Sequence, residues 1–233
     1  MKLFIDSANL DEIKKISDLG ILGGITTNPT LIVKQMSSVG VNCKPDQKEL
    51  LKQILKITNV DILAEPVSPK FDDIVKEGLE LVKLSPQIVV KIPMGQDGIR
   101  AVKELKKSEK SLKKNKKDFK IKTAITLIFS LEQAIIAALS GADYICPFVG
   151  RLDDIGQNGM DLIKDIVTVY KNYDFKTKII VASVRNINHI LTSAKYGADA
   201  VTVPYKVIEE MFKHDLTTKG IEKFLSDWAK ISQ

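Results

Sequence analysis

Short apolar or β-branched runs alternate with longer amphipathic runs along the whole chain, and this alternation limits the fold more than any other feature. In the first half KLFID precedes NLDEIKKISDLG, and GGIT precedes PTLIVKQ and PDQKELLKQILKIT. DILAE then precedes FDDIVKEGLELVKL, and IVVKI precedes a helical pattern beginning near Asp97. The second half repeats the scheme: FKIKTAIT with LEQAIIAALSG, DYICPF with GMDLIKDIVTVYKN, TKIIVAS with INHILTSAKYG, and DAVTV with KVIEEMFKH. The apolar runs have the composition of strands buried on both faces, which helices joining them in a parallel sheet would cover. Eight such units within 233 residues suit one closed (β/α)8 barrel. The expectation is therefore an α/β fold, a single TIM barrel domain over residues 1–233, with an additional C-terminal helix near LTTKGIEKFLSDWAK. An open doubly wound sheet is the rival; it is disfavoured because no GxGxxG follows the first strand and no P-loop is present.

The net charge of +6 would suit a nucleic-acid partner, but it has a local origin. The segment from Lys103 to Lys122 carries ten lysines against Glu104, Glu109 and Asp118, so it contributes +7 and leaves −1 for the rest. Phe119 is its only aromatic residue, too little for base stacking, and a solvated surface extension at the N-terminal face of the barrel is the expected role. No nucleic-acid partner is expected. No apolar run reaches the roughly 18 to 20 residues of a membrane span, and charge enters the N-terminus at Asp6, so no membrane segment or signal peptide is expected. Cys43 and Cys146 fall in no metal-binding or disulfide spacing with each other or with His189 and His214, which points to free thiols, a cytoplasmic protein and no metal.

In a barrel of this kind the C-terminal ends of the strands converge on one mouth. Reading those ends gives Asp6, then Thr26, Thr27 and Asn28, then Glu65, Lys91 and Thr126, then Arg151, and then Ser183 with Arg185; the eighth strand contributes no polar residue to this set. Lys91 is the most informative, because IVVKIPM sets an ammonium within an apolar strand. Burial favours the neutral amine, which attacks a carbonyl and forms an imine that serves as an electron sink. The alternative is a lysine that snorkels from the strand end or pairs as a buried ion. Asp6 suits a general base, although a residue there also suits a helix cap, a role open equally to Ser7 or Asn9. Glu65 and the Thr126 hydroxyl are placed to hold a proton-shuttling water. Arg151, Ser183 and Arg185 follow the sixth and seventh strands, where barrel enzymes often bind phosphate, and guanidinium groups suit that anion; the alternative for Arg151 is an ion pair with Asp153 or Asp154.

Taken together and in order, FIDSANL, GITTNPTLI, VVKIPM, TLIFS, PFVGRLDDIG, ASVRN and AVTVP, with Trp228 near the end, resemble the transaldolase family, in particular its small single-domain members. The resemblance runs from Met1 to about Lys230. It implies Schiff-base catalysis without a cofactor and transfer of a dihydroxyacetone unit between sugar phosphates of the pentose phosphate pathway. Carried over by motif, it makes Lys91 the imine-forming lysine, Asp6 the acid–base group, and Glu65 with Thr126 the holders of the catalytic water. It likewise assigns Asn28 and Thr26 to the substrate, Phe148 to the side of the imine, and Arg151, Ser183 and Arg185 to phosphate. The small transaldolases it resembles form ring-like decamers with the terminal helix reaching a neighbour, so a homo-oligomer is also implied; Trp228 suits such a contact and equally a core or intrachain one. The nearest alternative activity is that of fructose-6-phosphate aldolases, which release free dihydroxyacetone and carry glutamine and tyrosine where this chain has Glu65 and Phe148. Ala124 and Cys146 replace the asparagine and serine usual in transaldolases, and Pro66 replaces a β-branched residue. A non-enzymatic binding protein that uses the lysine-rich segment is the remaining alternative.

Overall fold

The computed structural model describes residues 1–38, 46–112 and 120–231. Cys43 and the stretch 113–119 of the lysine-rich segment lie outside them. Eight parallel strands among the described residues close into a barrel in sequence order, β1 being hydrogen-bonded to β8. They are β1 (Lys2–Asp6), β2 (Leu22–Thr26), β3 (Asp61–Ala64), β4 (Ile88–Pro93), β5 (Lys122–Ile128), β6 (Tyr144–Pro147), β7 (Lys178–Val181) and β8 (Ala200–Val203). The first helices are α1 (Leu10–Asp18), α2 (Pro29–Ser38), α3 (Gln47–Ile57) and α4 (Phe71–Val82). They are followed by α5 (Gln96–Leu112), α6 (Leu131–Leu139), α7 (Val149–Asp154) and α8 (Gly159–Asn172). The last are α9 (Ile187–Tyr196), α10 (Tyr205–Glu210) and α11 (Asp215–Ile231). The barrel and the C-terminal helix agree with the sequence reading. The short α7 lacks the length to show an amphipathic repeat and was not legible as a helix.

Two apolar layers form the core. One lies between strands and helices, where Ile5, Ile25, Ile62, Val90, Ile92, Ile125 and Val201 meet the buried faces of α1, α3, α4 and α8. The other fills the barrel, with Phe4, Leu63, Val89, Ala124, Cys146, Ile180, Ala182 and Ala200. The period of two along each strand produces both sets, because neighbouring residues point to opposite faces. Gly24 is required beside Phe4, since a Cβ there would lie 2.3 Å from the ring.

Below the apolar layer the barrel is closed by charge. Asp61, at the start of β3, accepts from Lys122 Nζ at 2.5 Å and from the Tyr144 hydroxyl at 2.8 Å. Lys106 and Lys120 both pair with Asp143, just before β6. Lys106, Lys120 and Lys122 of the basic segment thus sit at the end of the barrel where the strands begin.

Candidate active site

Two residues beyond the apolar interior layer, the same strand faces carry polar groups: Phe4 is followed by Asp6, Gly24 by Thr26, Val89 by Lys91, Ala124 by Thr126, and Ala200 by Thr202. A cavity of about 250 Å³ opens above them. Its lining includes Asp6, Thr26, Asn28, Lys91, Thr126 and Cys146, and also Phe148, Arg151, Ser183, Arg185 and Thr202. Of the polar strand-end residues read from the sequence, all line this cavity except Glu65, which reaches it through Lys91, and Thr27, whose buried hydroxyl instead donates to the Leu63 carbonyl at 3.3 Å.

Lys91 is 4% exposed. Its Nζ donates to the Thr27 carbonyl at 2.5 Å and lies 3.1 Å from Glu65 Oε2. The structure therefore joins two readings that the sequence held apart, since the lysine is both in the cavity and in a buried ion pair. Glu65 follows β3 and its carbonyl accepts from Gln47 Nε2 at 2.9 Å. Pro66 has no N–H to give, and the path beyond it is held by Val67 N–H donating to Glu77 Oε2 at 2.6 Å.

Asp6 ends β1 and does not cap α1. Asn9 does so, its Oδ1 accepting from the N–H groups of Asp11 and Glu12. Burial pushes the Asp6 carboxyl above the usual carboxylate range, against the opposing pull of the Thr26 hydrogen bond and the Lys91 charge. Thr26 Oγ1 donates to Asp6 Oδ1 at 2.7 Å. Its single proton is thereby used, so Thr202 Oγ1, 2.6 Å away, is the donor to Thr26. Thr202 is thus a polar member from β8 that the sequence reading omitted; the alternation in AVTV, with Ala200 inward, was the signal for it.

β5 carries a bulge between Thr126 and Ile128, with Leu127 at φ 59°, a conformation uncommon for a non-glycine residue. Bulges re-aim side chains next to functional sites. Thr126 Oγ1 is buried with no protein hydrogen-bond partner among the described residues. Asn28 lines the cavity while its Oδ1 accepts from Leu31 N–H at 2.9 Å, which caps α2 ahead of Pro29. Cys146 also lines the cavity, its thiol pushed by burial up to about 12 and hence protonated at neutral pH. Ala124 lies in the apolar layer beneath.

At the far rim α7 and the β7–α9 loop come together. Val149 N–H donates to the Ala182 carbonyl and Gly150 N–H to the Ser183 carbonyl, each at 3.1 Å. A Cβ on Gly150 would lie 2.2 Å from the Ser183 oxygen and 2.7 Å from Arg185 Nε, so only glycine permits this approach. Ser183 is held at φ 59°. Arg151 stacks on Phe148, with Cζ 5.3 Å from the ring centroid. It makes no ion pair with Asp153 or Asp154; Arg185 instead takes Asp154, at 2.8 Å.

The model of the transaldolase/fructose-6-phosphate aldolase family matches residues 3–233. A protein of Thermodesulfovibrio yellowstonii described as a probable transaldolase is 46% identical over all of both chains. One of Carboxydothermus hydrogenoformans with the same description is 48% identical over 98% of each. A solved thiamine phosphate pyrophosphorylase of Pyrococcus furiosus shares the fold, with TM-score 0.54 and 15% identity over 87% of this chain and 85% of that one. A cavity built around a buried lysine, and agreement along the whole chain, lead to one conclusion: the protein belongs to the transaldolase/fructose-6-phosphate aldolase family.

Proposed function

We propose that this protein is a transaldolase that moves a dihydroxyacetone unit between sugar phosphates through an imine on Lys91. The observation that carries this reading is a buried Lys91 Nζ, 3.1 Å from Glu65 Oε2, in the cavity that Asp6 also lines. The ammonium first gives up a proton toward Glu65, and the free amine adds to the C2 carbonyl of a ketose phosphate such as fructose 6-phosphate. Loss of the C2 oxygen as water leaves a protonated imine. A water between Glu65 and the partnerless Thr126 hydroxyl relays protons in this step.

Asp6 then takes the proton of the C4 hydroxyl. The C3–C4 bond breaks, its electron pair flows into the imine, and glyceraldehyde 3-phosphate leaves. The raised affinity of Asp6 for a proton suits a base that must hold it and return it. The enamine left on Lys91 attacks the aldehyde carbon of erythrose 4-phosphate, Asp6 protonates the new alkoxide, and water releases sedoheptulose 7-phosphate. Asn28 holds the donor hydroxyls, and Arg151, Ser183 and Arg185 take the phosphate. Glu65 and Phe148 favour transfer over release. Free aldolase activity is the second reading, favoured by Cys146, whose thiol is a weaker hydrogen-bond partner for bound dihydroxyacetone than a serine hydroxyl.

The test follows glyceraldehyde 3-phosphate released from fructose 6-phosphate, with and without erythrose 4-phosphate. Sustained release should require the acceptor, and equal turnover without it would assign the free aldolase.

Ile221, Phe224, Leu225, Trp228 and Ile231 form one apolar stripe of α11, and none of its residues is buried. This stripe supports a ring-like homo-oligomer in which α11 docks on another copy. The buried free thiol of Cys146 suits a reducing cytoplasm. Among the described residues no helix is long and apolar enough to cross a membrane.

A further inference from the structure

We infer that His189 is a positioning residue that holds the two arms of the phosphate site in register; this rests on the reading of Arg151, Ser183 and Arg185 as that site. His189 stands in the first turn of α9, where its N–H is capped by Asn186 Oδ1 at 3.1 Å, and its side chain is 8% exposed. Its Nδ1 accepts from the Arg185 backbone N–H at 3.2 Å. An accepting Nδ1 carries no proton, so the proton of the neutral ring sits on Nε2. Nε2 lies 2.9 Å from Asp153 Oδ2 and donates to it. The other oxygen of Asp153 accepts from Gly159 N–H at 2.9 Å, which fixes that carboxylate at the end of α7.

The imidazole therefore spans the two elements that supply the cations. Asp153 belongs to α7, which carries Arg151, and the Arg185 N–H belongs to the loop that carries Ser183. Both guanidinium groups hang from exposed residues, so their placement depends on the backbone below them. Ser183 keeps its left-handed conformation only where its surroundings dictate it, and the bond at Arg185 N–H, two residues on, is one such restraint. A ring that merely filled space would not need one nitrogen on each arm.

Three variants separate the two contacts. His189→Ala removes both. His189→Gln can reach Asp153 with an amide donor but offers no acceptor to Arg185 N–H, whereas Asn at position 189 in His189→Asn sets its Oδ1 where Nδ1 was. KM for fructose 6-phosphate should rise about fivefold to tenfold in His189→Ala, and by less in His189→Gln and His189→Asn, each of which keeps only one of the two contacts, with much less change in kcat in all three. Half-saturation of borohydride labelling by dihydroxyacetone, which has no phosphate, should move by less than about twofold in all three. Equal losses for both compounds, or a parental KM for fructose 6-phosphate in either His189→Gln or His189→Asn, would overturn the inference. Should His189→Ala fail to fold, the Gln and Asn variants decide by the same comparison of the two compounds. Arg185→Ala is the control: if it too fails to distinguish the two compounds, the phosphate site itself is wrong. If it distinguishes them while the His189 variants do not, only the role of His189 falls.

Discussion

Lys91→Met separates the chemical role of the lysine from its structural one. The substitution keeps the aliphatic stem and removes the nitrogen, which leaves Glu65, 13% exposed in its side chain, as a buried carboxylate without its cation. Breaking a buried pair in this way costs about 3 to 5 kcal/mol, and the remaining exposure of Glu65 argues for the lower end. The Thr27 carbonyl also loses its donor, at about 1 kcal/mol. The single variant should thus lose about 4 kcal/mol, a fall in Tm of about 8 to 16 °C for a chain of this size. Adding Glu65→Gln removes the stranded charge, and the double variant should return to within about 1 kcal/mol of the parent. Neither can form an imine, so neither should turn over. Thermal and urea unfolding monitored by far-UV circular dichroism, beside the acceptor-dependent assay, measure both effects. A single variant as stable as the parent, or a double variant no more stable than the single, would refute the claim that this pair is buried and coupled.

Asp6→Asn should lower kcat about 10²-fold to 10⁴-fold, because no base then takes the substrate hydroxyl proton. The same change should raise stability at neutral pH. The folded-state pKa of Asp6 lies above its unfolded value, so ionisation penalises the fold; the penalty is full above the folded pKa and absent below the unfolded one. The gain in Tm should therefore shrink as pH falls through that window, and a gain independent of pH would contradict the assignment. Gly150→Ala drives a methyl group to 2.2 Å from the Ser183 carbonyl and should cost both stability and affinity for phosphorylated donors; normal KM with normal Tm would show that the close approach is not needed. Phe224→Asp puts a charge into the apolar stripe of α11 and should shift light-scattering mass from an oligomer toward the monomer, whereas an unchanged mass would remove α11 from the interface.

Much of the barrel was legible because buried parallel strands and amphipathic helices differ in both period and length. Lys91 and Asp6 stood out as charges within or just after apolar strands. Thr202 did not, since a threonine among valines is ordinary strand composition; its alternation with Ala200 was the one signal, and the register of β8 against β1 turns it toward Thr26. The pairing of Arg185 with Asp154, not Arg151 with its own neighbours, was beyond a one-dimensional reading, because α7 is too short to show a repeat and its contact with the β7–α9 loop joins distant residues. His189 was hidden for the same reason. The bulge at Leu127 has no sequence marker, as a leucine is not a residue expected at positive φ.

The central claim is tested most directly by incubating the protein with dihydroxyacetone, reducing with borohydride, and mapping the product by peptide mass spectrometry. The account predicts one reduced three-carbon adduct per chain, carried by Lys91 and absent from Lys91→Met. A protein that gains no mass, or an adduct on any other lysine, would contradict it.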